Sequence, residues 1–264
     1  MSATPDYTRQ EMMAIAAGRE IRDGELAIFG VGLSLLAGYF AKAHHAPNVR
    51  AITEGGVYGA TPMGGMPWGI ECNRLAVNAT SFTSGLDALG FLVASGRCDF
   101  GLIGAAQVDR HGNVNTTGIW GERPQRFGPP RTRLTGSGGA NEIACGAKRT
   151  VIMVSHEKKR FVEQVDYISS PGYLEGGDAR ERYGFAGGGP SAIVTTLGIL
   201  RPHPETREFW LDGWFEFSSA EEIRTATGWA LKVFPHAGRI PPPDGEELAA
   251  LRQVDETGML RRKG

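Results

Sequence analysis

Residues 25–56, ELAIFGVGLSLLAGYFAKAHHAPNVRAITEGG, contain the pattern that decides the fold. The apolar run Glu25–Gly32 predicts a buried strand that ends in glycines. Leu33–His45 predicts a helix, and Val49–Thr53 predicts a second short strand that leads directly into Glu54-Gly-Gly. Two strands joined by a helix favour parallel pairing, because a parallel connection must cross over the sheet.

The neighbouring segments continue this alternation. Thr8–Arg22 predicts an amphipathic helix, and Thr8 with Glu11 forms a capping box at its start. Further along the chain, Leu86–Ser95 predicts a helix, whereas Phe100–Gly104 and Lys148–Ser155 predict buried strands. We therefore expect an α/β fold with a mostly parallel, layered sheet and flanking helices.

Beyond Gly187 the pattern changes to short apolar runs separated by Gly and Pro. These runs predict antiparallel strands at Ala192–Thr196, Gly198–Arg201 and Phe209–Asp212. A helix from Ser219 to about Ala230 and another from Asp244 follow. We expect one domain over residues 1–264, in which residues 189–264 form a β-rich extension, a β-meander with helices at its end.

Composition excludes several classes of function. The chain has 264 residues, 22 % of them charged, and a net charge of −1, so a nucleic-acid binder is disfavoured. Three widely spaced cysteines without a CxxC motif argue against a disulfide framework or a zinc site and indicate a cytoplasmic location. We find no signal-peptide pattern and no apolar run of the length that a membrane span needs.

Glu54 is the first candidate for chemistry, because it follows a predicted strand and precedes two glycines. Ligands bind at the carboxyl ends of parallel strands, and glycines would let a substrate approach the carboxylate closely. The alternative is a surface glutamate in a loop.

A glycine cluster, Gly136-Ser-Gly-Gly-Ala-Asn141, precedes a predicted helix start. Its backbone N–H groups, at Gly138, Gly139, Ala140 and Asn141, are candidates for binding an anion or a developing oxyanion. The segment lacks the Lys-Ser/Thr of a P-loop, and the chain has no GxGxxG and no GxSxG, so ATP, dinucleotide and serine-hydrolase functions have no direct support. A flexible turn is the alternative.

Weaker candidates are Gly32, Gln107 and Asn113, which would line a substrate site. Gln107 and Asn113 lie in a polar segment that equally predicts a structured turn held by its own side chains. The basic run His156-Glu-Lys-Lys-Arg160 is compatible with phosphate binding but is more typical of a solvated surface. His44 and His45 have no third ligand nearby, so no metal site is expected.

Taken in order, five segments resemble the class I CoA-transferase family, and specifically its beta subunits. These segments are Glu54-Gly-Gly, Ile103-Gly-Ala-Ala-Gln-Val-Asp-Arg-His-Gly-Asn-Val-Asn, Arg133-Leu-Thr-Gly-Ser-Gly-Gly-Ala-Asn, and His156-Glu-Lys-Lys-Arg-Phe with Ser169-Ser-Pro-Gly. The similarity runs from about Thr8 to Leu200 and is strongest from Ile103 to Tyr173.

The resemblance implies an α/β layered fold, an alpha subunit as partner in a heterodimer or a dimer of heterodimers, and coenzyme A as substrate with no permanently bound cofactor. It also implies that Glu54 is the nucleophile, and that the segment around Gly138, Gly139 and Ala140 contacts the thioester. The implied reaction moves CoA between an acyl-CoA and a carboxylic acid, expected to be a dicarboxylic or oxo acid, through a glutamyl-CoA thioester.

The sequence departs from the family pattern at Gly55, where relatives often have Ser, Ala or Asn, and over Met63–Asn78 and Trp120–Pro130. Two alternatives stay open. One is acyl-CoA hydrolysis or C–C cleavage on the same fold, and the other is a non-enzymatic chain that binds a phosphorylated ligand.

Overall fold

The computed structural model describes residues 6–61, 69, 72–120 and 128–261. Within these residues, ten strands form one sheet in the order β14-β13-β12-β11-β10-β5-β1-β2-β3-β4. The strands of this sheet are β1 (Leu26–Phe29), β2 (Arg50–Ile52), β3 (Val57–Tyr58), β4 (Ser81–Phe82), β5 (Phe100–Gly104), β10 (Arg149–Val154), β11 (Pro190–Thr195), β12 (Gly198–Pro202), β13 (Phe209–Trp214) and β14 (Val233–Arg239). Two small hairpins consist of β6 (Gln107–Val108) with β7 (Val114–Asn115), and β8 (Gly118–Ile119) with β9 (Thr132–Arg133).

The α-helices are α1 (Arg9–Gly18), α2 (Leu33–His44), α3 (Ala140–Gly146), α4 (Ala179–Arg182), α5 (Ala220–Thr225) and α6 (Gly245–Val254). The capping box predicted at Thr8 and Glu11 is present at the start of α1. An equivalent box at Asp244 and Glu247 begins α6. The helix predicted over Leu86–Ser95 is a π-helical segment, Asp87–Val93, and α5 ends at Thr225 rather than near Ala230.

The central strands β2, β1, β5, β10 and β11 all pair in parallel. Their residues are apolar almost throughout, as expected for strands that are covered on both faces. The predicted α/β fold with a mostly parallel sheet and flanking helices is therefore confirmed.

The strands after Gly187 belong to the same sheet. The pairs β11–β12 and β12–β13 are antiparallel, as the sequence predicts. However, β11 also pairs in parallel with β10, and β14 pairs in parallel with β13, because helix α5 crosses between the last two strands.

Alternation along the strands divides the core into two layers. On one face Phe29, Leu102 and Met153 pack with helices α1, α2 and α6. On the other face Ile28 and Ile152 pack with α3 and with the β6–β7 hairpin. The two apolar layers cover opposite faces of the same sheet. Packing on both faces therefore holds the carboxyl ends of its strands in place.

Helix α2 approaches strand β1 more closely than a side chain would allow. A Cβ atom on Gly38 would lie 2.4 Å from Cδ2 of Phe29, a ring that is 2 % exposed. The contact fixes the helix against the strand whose carboxyl end leads into Gly30 and Val31.

We predict that Gly38→Ala destabilises the protein, although alanine favours a helix by about 1 kcal/mol relative to glycine. The added methyl must displace the Phe29 ring, so the free energy of unfolding should fall by about 1–3 kcal/mol. Denaturant unfolding measures this change. Gly245→Ala, where an added Cβ has no atom within 4 Å, is the matched control and should leave stability nearly unchanged. Equal stability of the two variants would contradict the prediction.

Candidate active site at the carboxyl edge of the sheet

Glu54 lies in a tight turn immediately after strand β2 and is half-buried. The N–H of Gly56 donates to the carbonyl of Thr53 at 3.0 Å, which closes the turn. Gly56 has a φ of 84°, and a Cβ there would lie 2.2 Å from the carbonyl oxygen of Thr83. Glycine at this position is thus required both by the backbone conformation and by the approach of the segment after β4.

The glycine-rich segment before α3 meets the Glu54 carboxylate. The backbone N–H of Gly139 donates to Oε2 of Glu54 at 3.3 Å. A Cβ on Gly138 would lie 3.5 Å from the same oxygen, and a Cβ on Gly139 would lie 3.0 Å from Cδ of Glu54. Two segments that are 85 residues apart in sequence therefore come together, and the absence of side chains permits the contact.

The glycine-rich segment is held in place from the opposite side. The N–H of Gly136 donates to the carbonyl of Thr116 at 2.7 Å, and the N–H of Leu134 donates to the carbonyl of Thr117 at 3.1 Å. The N–H of Thr116 in turn donates to Oγ of Ser169 at 2.9 Å. These bonds position the turn before any substrate arrives.

A cavity of about 840 Å³ opens beside Glu54. Gly30 and Val31, which follow β1, line it together with Ala105 and Ala106, which follow β5. From β1 the chain crosses through α2 to β2 on one side, whereas from β5 it continues to β10 on the other side, so the connections leave these two adjacent strands in opposite directions. The cavity occupies the switch point at which ligands bind in open α/β sheets.

Comparison with known proteins identifies the family. The model of the family described as coenzyme A transferase matches residues 10–225. The chain belongs to the coenzyme A transferase family.

Two curated relatives extend over nearly the whole chain. It is 36 % identical to the B subunit of 3-oxoadipate CoA-transferase from Pseudomonas knackmussii, over 94 % of each chain. It is 34 % identical to the B subunit of glutaconate CoA-transferase from Acidaminococcus fermentans, over 98 % of this chain and 96 % of the relative. The resemblance seen in the sequence is confirmed, and the chain corresponds to the beta-type chain of these CoA-transferases.

Solved structures agree with the fold. The crystal structure of glutaconate coenzyme A-transferase from Acidaminococcus fermentans superimposes with a TM-score of 0.89 and 32 % identity, covering 98 % of this chain and 99 % of that one. The decarboxylase AibA/AibB superimposes with a TM-score of 0.80 at 23 % identity, covering 97 % and 98 % of the two chains, and shares the fold.

The remaining predicted site residues of this CoA-transferase chain take different positions. Ala140 lines the cavity beside Glu54. Asn141 is not among the described residues that line it, and its Nδ2 donates to the carbonyl of Ser169 at 2.8 Å. Gly32 caps the start of α2 with a φ of 82° and follows the lining residue Val31. The structure thus brings Glu54, Gly138, Gly139 and Ala140 together, with Gly32 and Asn141 at the margin.

The segment that contains Gln107 and Asn113 is a buried hydrogen-bonded turn. Oδ1 of Asp109 accepts from the N–H groups of His111 and Asn113, both at 3.0 Å. Nδ2 of Asn115 donates to Oε1 of Gln107 at 2.8 Å. Neither Gln107 nor Asn113 is among the described residues that line the Glu54 cavity, and Asn113 lines a separate cavity of about 750 Å³. The geometry favours the structured turn, the alternative that the sequence left open.

The basic run after β10 is a turn in which His156 is buried and Arg160 reaches the cavity. The His156 ring stacks on Phe161, with ring centroids 3.9 Å apart, and its two nitrogens contact the hydroxyls of Thr195 and Thr227. Sequence reasoning treated this run as surface, and it did not single out Thr116, which lines the same cavity. The turn follows β10 at the carboxyl edge of the sheet, and the N–H of Val108 donates to the Arg160 carbonyl at 2.7 Å, which holds the turn beside the site.

Among the described residues, no group of three His, Cys, Asp or Glu side chains is arranged to hold a metal ion. In the same part of the chain, no helix has both the length and the apolar character needed to cross a membrane. Much of the two divergent segments, Met63–Asn78 and Trp120–Pro130, lies outside the described residues.

Burial lowers the pKa of His156 to about 3, so the folded protein holds this imidazole neutral. An unfolded chain protonates it near the ordinary value of about 6.5. The neutral form of His156 therefore makes its full contribution to the free energy of unfolding above about pH 6.5. This contribution falls by about 1.4 kcal/mol per pH unit as the pH decreases from about 6.5 toward 3.

We predict that His156→Gln, which does not titrate, shows a shallower decline in the free energy of unfolding than the unsubstituted protein between about pH 6.5 and 4.5. Denaturant unfolding at several pH values measures the slope. His44→Gln, at an exposed position, is the control and should retain the original slope. Parallel curves for the protein and the His156 variant would show that the prediction is wrong.

Proposed function

We propose that Glu54 is the nucleophile of this CoA-transferase chain and that coenzyme A is carried between two acids as a thioester on its side chain. The observation that supports this most strongly is the contact of 3.3 Å between the Gly139 N–H and Glu54 Oε2 at the edge of a cavity large enough for an acyl thioester. A carboxylate with an oriented donor beside it, at a switch point, fits nucleophilic catalysis on an acyl group.

The reaction proceeds through covalent steps that each exchange one acyl bond. A Glu54 oxygen attacks the thioester carbonyl of the acyl-CoA, CoA leaves as a thiolate, and an acyl-glutamyl anhydride forms. The thiolate attacks the glutamyl carbonyl, which releases the first acid as a carboxylate and leaves the glutamyl-CoA thioester. A second carboxylate reverses these steps, departs as its CoA ester and regenerates the Glu54 carboxylate.

The Gly139 N–H serves the steps at the glutamyl carbonyl. Its contact in the resting state is with the oxygen that becomes an oxyanion when the thiolate attacks Cδ. A donor already oriented toward developing charge contributes about 3–4 kcal/mol to the stability of such an intermediate. Because the donor belongs to the backbone of an anchored turn, it needs no rearrangement during the reaction.

For the acid, we infer a dicarboxylic or oxo acid. The acids in the names of the two relatives, 3-oxoadipate and glutaconate, support this class. The cavity has an acidic and a basic side chain, Glu54 and Arg160, among its described lining residues, and otherwise presents small apolar and hydroxyl groups.

We also infer an alpha-type subunit as the partner. Three exposed apolar side chains lie on the segment beside the Glu54 turn: Phe82 is 66 % exposed, Leu86 81 % and Phe91 58 %. This segment touches the turn directly, since the N–H of Thr83 donates to the carbonyl of Gly56 at 2.8 Å. Apolar surface of this kind, next to a site, is typical of an interaction surface, and both curated relatives are named as B subunits.

An acyl-CoA hydrolase or a C–C-cleaving enzyme is the second candidate, because the decarboxylase AibA/AibB has the same fold. In that reaction Glu54 would act as a base toward water or carbon, and no CoA would reach a second acid. Exchange of CoA between two acids therefore separates the two candidates.

We predict that Glu54→Gln abolishes transfer and that Glu54→Asp reduces it at least about 100-fold. The amide removes the nucleophile, and the shorter carboxylate withdraws it by about 1.5 Å, a displacement that costs about 100-fold in rate. Transfer of labelled acid into acyl-CoA, measured with the chain and its partner together, is the assay. Thermal unfolding should change little. Release of free CoA without incorporation of label by the unsubstituted protein would favour the second candidate.

We predict that Gly139→Ala lowers kcat more than it lowers stability. The new methyl would lie 3.0 Å from Cδ of Glu54 and from both Leu89 methyl groups, closer than side chains normally approach, so it pushes on the carboxylate that accepts from the Gly139 N–H. Loss of one such donor contact costs about 100- to 1,000-fold in kcat. Gly245→Ala, remote from the cavity, is the control for the same chemical change. A Gly139 variant with full kcat would contradict a role for this turn.

A further inference from the structure

We propose that Arg160, assisted by the hydroxyl of Thr116, binds the distal carboxylate of the acid and so selects dicarboxylic over monocarboxylic substrates. The inference rests on the proposed function of Glu54. It concerns two further residues that line the same cavity as Glu54.

The charged side chains that line the cavity favour this role for Arg160. Of the described residues that line it, Glu54 and Arg160 carry the charged side chains, and one of them is the reacting group. A second carboxylate on the substrate would meet one anion and needs a cation to replace its lost hydration. Arg160 is the cation that the described part of the wall provides.

The position of Arg160 is fixed by its backbone. Its carbonyl accepts from the N–H of Val108 at 2.7 Å, and its N–H donates to the carbonyl of Glu157 at 2.8 Å. The next residue, Phe161, is fully buried against the His156 ring. The backbone from which the guanidinium extends is therefore fixed before a ligand binds, so that binding has to order the side chain alone.

The guanidinium retains donors for a ligand. Its Nε contacts Oε1 of Glu157 at 3.2 Å, whereas its two terminal nitrogens have no hydrogen-bond acceptor among the described residues. Lys159 also contacts Glu157, at 2.7 Å, so that carboxylate keeps a partner if Arg160 turns toward a ligand. Paired terminal nitrogens match a carboxylate in the two-bond geometry that arginine favours.

The hydroxyl of Thr116 supplies an independent observation. Its Oγ1 is buried and lacks a hydrogen-bond partner within the described residues, although the residue lines the cavity. Buried polar atoms are nearly always hydrogen-bonded, so an unpartnered one at a cavity wall points to a ligand that completes it. A carboxylate oxygen accepts the hydrogen bond that this hydroxyl can donate.

Two thioesters that differ only at the far end test the proposal. Glutaryl-CoA carries a carboxylate where pentanoyl-CoA carries a methyl group. With the chain and its partner together, the unsubstituted protein should have a kcat/KM for glutaryl-CoA that is higher by about tenfold or more, since a charge-assisted pair discriminates by about that factor. Arg160→Met should remove most of this preference by lowering the value for glutaryl-CoA about 10- to 100-fold while leaving that for pentanoyl-CoA nearly unchanged.

Lys159→Met is the matched control, because it removes the neighbouring cation that contacts the same Glu157 but does not line the cavity. It should change both values by less than about twofold, as expected for an exposed ion pair. Arg160→Lys, which keeps the charge but not the paired donors, should retain part of the preference.

Several outcomes would overturn the proposal. One is an absence of preference between the two thioesters in the unsubstituted protein. Another is an equal decrease in kcat/KM for the two thioesters in Arg160→Met. If that equal loss disappears with 3′-dephospho-CoA esters, Arg160 binds a phosphate of coenzyme A instead. Failure of the Glu54 mechanism would look different, because CoA exchange would then be absent with every ester, whereas failure of this inference leaves exchange intact.

Discussion

Contact between the Glu54 carboxylate and the Gly139 N–H depends on an approach that only residues without side chains allow. The carboxyl end of β2 and the start of α3 must converge at one edge of the sheet, where β2 leads into Glu54 and the segment before α3 contributes the glycines that contact its carboxylate. Parallel pairing of β2, β1 and β5 places the loops after these strands at the same edge. The rest of the structure holds these loops in place.

Packing on the two faces of the sheet explains why this edge is rigid. Gly38 lets helix α2 lie directly on Phe29, which fixes the loop that follows β1. On the opposite face, the buried network around Asp109 and Asn113 holds the segment that leads to Thr116, and Thr116 anchors the glycine-rich turn. Asn113, a candidate for substrate contact on sequence alone, thus has an indirect role. It positions the backbone that forms the cavity wall.

Sequence predicted the parts of the fold that depend on local pattern. The parallel core, the Thr8 capping box and the alternation of α1, β1, α2 and β2 follow from periodicity and capping chemistry, and all are present. The π-helical segment Asp87–Val93 and the parallel pairing of β14 were missed, because both depend on packing against distant segments rather than on local spacing.

The candidate site shows the same division. A glutamate followed by glycines, and a glycine cluster before a helix, are visible as motifs, and the structure brings them together. Arg160 lies in a charge run that resembles many solvated surfaces, and the pairing of its backbone with Val108, which no local pattern predicts, holds it beside the cavity. Gln107 and Asn113 are the opposite case, because the sequence made them candidates for a substrate site and the structure places them in a hydrogen-bonded turn. Polar residues after a strand stabilise a turn as readily as they bind a ligand.

Mass spectrometry of the protein after incubation with acyl-CoA tests the central claim most directly. In the presence of the partner and with no acceptor acid, the tryptic peptide Ala51–Arg74, which contains Glu54, should carry coenzyme A as a thioester. The adduct should be absent from Glu54→Gln and should disappear when an acceptor acid is added. An unmodified Ala51–Arg74 peptide, in a sample that transfers CoA once acceptor is supplied, would contradict the covalent mechanism.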